Sequence, residues 1–339
     1  MTGDLPLVLI DPAPRTRAMI LSEDALRELE ARARVVAWWE GGRMPDELVE
    51  EHLAEAAAII GQTPLPAERV ARARRLRAVI NVKGNWEPSV DYEACQARGI
   101  HVLSVAPAMA PAVAEWCLGA AIDLGRGITG ADQAFRDGDE RYGIRGNQHA
   151  VSLFDATVGL VGYGNLGRAL RPLLASFCCE VLTYDPWLPP GFLAEQGCRA
   201  ARLDEVLSGS AFIFILAGVT TENQGLLDRD HMLRIREDAC VVPASRAELV
   251  DFDAFLSLAE EGRFRAAIDV FPEEPVPADH PVRRTGRILL SAHRAGGIWA
   301  SYRRICEMMM EDIRLILAGL PPTRLQRAEP RQAAMMRSR

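Results

Sequence analysis

Three polar residues stand where apolar runs give out: Arg246 in VVPASRAELVD, Glu274 in AAIDVFPEEP and His293 in ILLSAHRAGG. Their types suit one kind of chemistry. A guanidinium is a planar fork that can hold a carboxylate and a carbonyl oxygen together. An imidazole can give a proton to that oxygen, and a carboxylate beside it keeps the ring oriented and charged. Together they suit acid–base work on a small anionic ligand. A histidine at the mouth of a strand is placed to touch a ligand, whereas one in mid-strand must be buried and satisfied.

A glycine-rich turn lies upstream. In ATVGLVGYGNLGRAL a β-rich run ends in Gly162, Tyr163, Gly164, Asn165, Leu166 and Gly167 and then becomes helical, which is G-x-G-x-x-G between strand and helix. The first glycine permits a tight turn, the second lets a pyrophosphate approach the backbone, and the third lets the helix pack closely, while the helix start offers N–H groups. The next run, EVLTYD, ends in Asp185, 18 residues past Gly167. That is near the spacing of the carboxylate that binds a ribose 2′-hydroxyl. Such a carboxylate repels a 2′-phosphate, so NAD is expected rather than NADP, although Arg199 and Arg202 are near enough in sequence to recruit a phosphate.

The elements that must position these groups alternate between apolar runs and amphipathic stretches, the pattern of parallel sheets with crossover helices. A first series, LPLVLID (5–11), RVVAWW (34–39), AAAIIG (56–61) and LRAVINV (76–82), builds one small α/β unit. After a helical segment, APAVAEWCLGAAIDLGRGI (110–128), a second series supplies six strands: ATVGLVG, EVLTYD, AFIFILA, DACVVPAS, RAAIDV and RILLSA. Residues 299–320 have Ile305, Met308, Met309, Ile313 and Leu317 at helical spacing, which carries the chain back to the first unit. The expected architecture is α/β with two doubly wound parallel sheets. A Rossmann domain (106–299) is inserted in a smaller domain (1–105 and 300–320), and 321–339 is expected to be a poorly ordered tail. In such a sheet ligands sit outside the carboxyl ends of the strands, so Arg246, Asp269, Glu274 and His293 should converge.

Composition narrows the partners. The 339 residues are 49% hydrophobic and carry a net charge of -7, which disfavours nucleic acid or an anionic membrane as partner. The opening MTGDLPLVLIDPAPRTRAM has no basic segment followed by a long apolar one, and no apolar run approaches a membrane span, so a cytoplasmic location is expected. The seven cysteines (95, 117, 178, 179, 198, 240 and 306) include no CxxC pair and predict reduced thiols, with neither disulfide framework nor metal.

Read in order, these motifs resemble the D-isomer-specific 2-hydroxyacid dehydrogenases over roughly residues 75–318. They are the glycine turn with its aspartate, S-R-x-x-x-V-D (245–251), D-V-F-x-x-E-P (269–275) and a histidine followed by x-A-G (293–296). The resemblance implies a flavodoxin-like substrate domain and an enzyme that moves hydride between NAD(H) and a small D-2-hydroxy or 2-oxo acid. It implies that Arg246 holds the substrate's carboxylate and carbonyl, that His293 is the acid/base and that Glu274 is its partner. It gives Asp269 a contact to the nicotinamide carboxamide and puts Ala217, Thr220 and Ala244 along the cofactor. The loop VINVKGNWEPSVD (79–91), with Lys83, Gly84 and Asn85, resembles the loop whose N–H groups grip the substrate carboxylate. A homodimer built around AVAEWCLGAAIDLGRGI (112–128), apolar on more than one helix face, is implied as well.

Several positions depart from the family pattern: Ala247 for glycine, Pro243 for asparagine, Gly218 for proline, and Arg294 for an apolar residue, with Trp299 shortly after. An inward Arg294, together with Lys83, favours a doubly acidic or phosphorylated substrate. The competing readings are a dinucleotide-sensing, corepressor-like binding protein on the same fold and an NADP-preferring glyoxylate/hydroxypyruvate reductase. Formate dehydrogenases resemble this pattern with glutamine at the position of Glu274, which counts against that activity.

Overall fold

The computed structural model describes residues 5–335. The chain divides into two compact units, one running to Ala110 and resuming at Gly297, the other spanning Pro111–Gly296. In the first unit β1 (Leu7–Asp11), β2 (Arg34–Ala37), β3 (Ala56–Gly61), β4 (Ala78–Asn81) and β5 (His101–Ser104) form a parallel sheet in the order β5-β4-β3-β1-β2. Every residue of β1, β3 and β4 is buried. Continuous apolar runs rather than alternating ones result because crossovers cover both faces of a parallel sheet.

The second unit holds β6 (Thr157–Val161), β7 (Glu180–Tyr184), β8 (Arg199–Ala200), β9 (Phe212–Ile215), β10 (Cys240–Pro243), β11 (Arg265–Ile268) and β12 (Ile288–Leu290). They pair in the order β12-β11-β10-β9-β6-β7-β8, all parallel. The six strands expected from the sequence are present. The two-residue β8 adds a seventh, too short to show a period. The central strand β9 buries Phe212, Ile213, Phe214 and Ile215, each contributing about 1.5–3 kcal/mol by leaving water.

The segment expected to fray is anchored as far as it is described. The helix Trp299–Leu317 buries Ile305, Met309, Ile313 and Ile316 in the core of the first unit. On the same helix the buried Asp312 accepts the amides of Thr323 at 2.7 Å, Arg324 at 3.0 Å and Leu325 at 2.8 Å. That turn delivers β13 (Gln326–Arg327) antiparallel onto β5. A carboxylate reached from another element supplied an order that the Pro- and Arg-rich sequence did not announce. Residues 336–339 lie outside the described residues. Among those described, no helix is long and apolar enough to cross a membrane, and no cluster of three or more His, Cys, Asp or Glu could hold a metal ion. All seven cysteines are free.

Candidate active site

Because the strands of the second unit are parallel, their carboxyl ends share one edge. Gly162 follows β6 on that edge, Asp185 follows β7, Ala217 and Thr220 follow β9, and Ala244 and Arg246 follow β10; Asp269 then follows β11, and His293 comes after β12. Strand order reverses between β6 and β9, the place where a doubly wound sheet opens a crevice.

The glycine turn is built for close approach. Gly162 has φ +95°, and a Cβ there would stand 2.6 Å from the Ala217 backbone, so the loops after β6 and β9 meet only because this residue is glycine. At the exposed Gly164 nothing lies within 4 Å of a Cβ position. The helix Asn165–Leu174 starts there with a glycine cap that has no side chain to cover its first amides. Room, amides and helix dipole together fit the pyrophosphate of a dinucleotide. Gly167, Leu170 and Leu174 form the buried face of this helix, while Asn165 and Leu166 are half-buried. The ring of Tyr163 is buried in the core, so the residue lines the turn through its backbone.

Asp185 secures the turn. Its Oδ2 accepts the Tyr163 amide at 2.8 Å and its Oδ1 the Trp187 amide at 3.0 Å. Each carboxylate oxygen retains a second lone pair for a hydroxyl. Arg199 is held by Glu180 at 3.0 Å and Glu205 at 2.6 Å, and Arg202 lies 4.0 Å from Asp204. Beyond β9, Asn223 braces the loop that carries Gly218 and Thr220. Its Oδ1 accepts the Thr220 amide at 2.6 Å, and its Nδ2 donates to the Gly218 carbonyl at 2.8 Å. The spacing T-x-x-N was the available signal for this Asx-type brace. Ala244 is buried beside the buried Ser245, whose hydroxyl donates to the Ile215 carbonyl at 3.3 Å.

At the other end of the edge, His293 Nδ1 lies 2.6 Å from Glu274 Oε2, and Glu274 Oε1 accepts the Phe271 amide at 3.0 Å. His293 is half-exposed with φ +49°, a left-handed conformation that histidine tolerates better than most residues. Asp269 holds it there. The Asp269 carbonyl accepts the His293 amide at 2.7 Å, and its buried carboxylate accepts the amides of Arg294 at 2.8 Å and Ala295 at 3.0 Å. Asp269, expected from the resemblance at the nicotinamide, thus has both carboxylate oxygens engaged by the histidine loop. The Arg246 guanidinium is half-buried and donates to the Ser245 carbonyl at 2.6 Å. Burial holds its pKa below the usual arginine range, against the carboxylates of Glu248 and Glu274. A buried cation of this kind gains when an anion arrives. The side chain of Arg294 is exposed, as is that of Trp299.

In the first unit the loop after β4 is organised by Asn81, which the sequence reading passed over. Its Oδ1 accepts the amides of Lys83 at 2.9 Å and Gly84 at 3.2 Å. Two of the N–H groups that the resemblance assigned to a substrate carboxylate therefore have an internal acceptor. The Lys83 ammonium pairs with Glu87 at 3.2 Å. Asn85 follows on the same loop, half-buried.

Residues 118–295 match the family model described as the D-isomer specific 2-hydroxyacid dehydrogenase, NAD binding domain, which is more than half of the chain. The chain belongs to the D-isomer specific 2-hydroxyacid dehydrogenase family. The glycine turn lies within the residues that match this NAD-binding domain. A crystal structure of a phosphoglycerate oxidoreductase from Rhizobium etli is similar with a TM-score of 0.85 and 40% identity, covering 96% of this chain and 98% of that one. Among curated family relatives, a D-3-phosphoglycerate dehydrogenase of Mycobacterium leprae is 29% identical over 318 residues, 93% of this chain and 58% of the relative. The chain thus spans little more than half the length of that dehydrogenase. A glyoxylate reductase of Korarchaeum cryptofilum is 24% identical over 307 residues, 89% of this chain and 92% of the relative.

Proposed function

We propose that this protein is an NAD(H)-dependent oxidoreductase that interconverts a small 2-oxo acid and its D-2-hydroxy acid, acting mainly as a reductase. The observation that carries the reading is the 2.6 Å contact between His293 and Glu274, on the sheet edge that also bears the glycine turn. When bound, NADH supplies the hydride to the carbonyl carbon. Arg246 holds the substrate carboxylate and carbonyl oxygen, and its fork stabilises the charge that develops on that oxygen. Nδ1 of His293 is taken by Glu274, so Nε2 is the nitrogen that delivers the proton to the oxygen. Lys83, Gly84 and Asn85 form the substrate loop of the first unit. Expected from a panel of glyoxylate, hydroxypyruvate, pyruvate, phenylpyruvate, 2-oxoglutarate and phosphorylated oxo acids is NADH oxidation with at least one; inertness towards all, with NADH still bound, would favour the corepressor-like reading.

NAD preference over NADP rests on the Asp185 carboxylate after β7 and on the pairing of Arg199 with Glu180 and Glu205, which occupies that cation. The free cysteines support a reducing compartment, the cytoplasm.

The reading includes a homodimer, through a surface displaced from the one first expected. Cys117, Ala120, Ala121 and Leu124 of the helix Ala106–Arg126 pack into the core of the second unit. The helix Ile128–Asp137 that follows has no buried residue, and Ile128, Phe135, Tyr142, Ile144 and Phe154 are all exposed. Large apolar side chains concentrated on one stretch need cover, and a second copy supplies it. Light scattering should give twice the chain mass, and a Phe135→Glu, Ile144→Glu variant half of that; a monomeric wild type overturns the dimer alone.

A further inference from the structure

We propose that Arg15 is a specificity residue that selects substrates with a second anionic group, either a carboxylate or a phosphate monoester. The inference rests on the reading above, in which the loop at residues 83–85 receives the substrate. Arg15 belongs to no motif. It lies just past β1, and its Nε donates to the carbonyl of Val82, the residue that leads into Lys83. Its Nη1 donates to the Tyr302 hydroxyl at 3.1 Å, its Nη2 lies 3.6 Å from the Met109 sulfur, and its guanidinium stands 5.2 Å over the Tyr302 ring. Trp299 packs edge-on against that tyrosine at 5.7 Å and fixes it from another side.

All these partners are neutral. Among the described residues no carboxylate lies within ion-pair distance of Arg15, although it is half-buried. Several other cations of the same unit are compensated: Arg69 by Asp46 and Glu50 at 2.8 Å, Arg314 by Glu28 at 2.6 Å and Lys83 by Glu87. A half-buried charge without a counter-ion is costly unless a ligand supplies one. Three of the five guanidinium N–H groups hold the side chain in place, and two remain for a bidentate anion. Lys83, the cation the sequence suggested for this task, is already neutralised.

The test compares kcat/KM for dianionic substrates, oxaloacetate and 2-oxoglutarate in one arm and 3-phosphohydroxypyruvate in the other, with that for hydroxypyruvate and glyoxylate. Wild type should favour one dianionic arm, and the favoured arm identifies carboxylate or phosphate. A charge-assisted pair is worth enough that Arg15→Ala should lower the dianion-to-monoanion ratio by about 10- to 100-fold. Arg15→Lys should restore part of it, and Tyr302→Phe, which frees the guanidinium, should lower it by a smaller factor. An unchanged ratio in Arg15→Ala, or loss of the ratio in Arg294→Ala alone, overturns the proposal. If wild type reduces no oxo acid, calorimetric titration with tartronate and phosphoglycolate separates the two claims. Binding that is lost in Arg15→Ala leaves the anion site standing while the enzymatic reading falls, and absence of binding overturns both.

Discussion

Nδ1 of His293 and Oε2 of Glu274 are 2.6 Å apart, and the second oxygen of the same carboxylate is fixed by the Phe271 amide. Both oxygens are needed, one for the ring and one for the backbone. His293→Ala should lower kcat for oxo-acid reduction by about 10²- to 10⁴-fold, the range for loss of a general acid, with little change in NADH affinity. Glu274→Gln has one carbonyl oxygen for two donors, so it should lower kcat less, by about 10- to 100-fold. Steady-state kinetics with a fluorescence titration of NADH checks this, and full turnover by His293→Ala would return the histidine to a structural role. Arg246→Ala should raise KM and lower kcat together, since one fork serves both binding and charge stabilisation.

Asp185 has two duties that can be separated. Removing the carboxylate should shift the kcat/KM ratio towards NADPH in both Asp185→Ala and Asp185→Asn, because the 2′-phosphate is no longer repelled. The alanine variant also loses the acceptors for Tyr163 and Trp187, so its melting temperature should fall further than that of the asparagine variant, which keeps one oxygen. A cofactor ratio unmoved in both variants would show that Asp185 serves the turn alone.

The engagement of Asp269 by the histidine loop has a measurable consequence. In Asp269→Asn one backbone amide meets an NH2 group, which should cost about 1–3 kcal/mol of local stability. Because the affected amides belong to Arg294 and Ala295, the loss should appear in kcat and in faster hydrogen exchange at residues 293–295. A variant with lower NADH affinity but unaltered exchange in that loop would instead make the carboxylate a cofactor contact.

His101 sits on β5, where β13 joins the sheet. Burial, and next the charge of Arg327, hold its pKa below the ordinary histidine value, with Asp312 opposing. The unfolded chain therefore takes up a proton at a pH where the folded chain does not. Stability from a neutral His101 is complete above the unfolded value of about 6.5 and is lost as pH falls through the folded one. Calorimetric melting of the first unit should decline on acidification below about pH 6.5, and His101→Gln should flatten that decline. Parallel pH profiles for the two proteins would remove His101 as the cause.

Much of the scaffold was legible because buried parallel strands must be apolar along their length, as in AAAIIG and FIFI, and because their last residues mark where ligands bind. Gly162 declared itself, since its close approach to the Ala217 backbone tolerates no other residue there. Short elements were not legible: β8 and β13 have two residues each, too few for any period, and β13 exists because Asp312 turns the chain towards β5.

The sequence by itself determined ten of the strands, the position of the glycine turn and the residue types at the strand ends, because local hydrophobicity and backbone sterics are properties of neighbours in the chain. Only the tertiary structure decided which charges are satisfied and by whom. Arg199 is taken by two glutamates, Lys83 by one, and Arg15 by none. These pairings arise from distances between elements, which no local pattern encodes, and they set whether a polar side chain supports the fold or is left to meet a ligand.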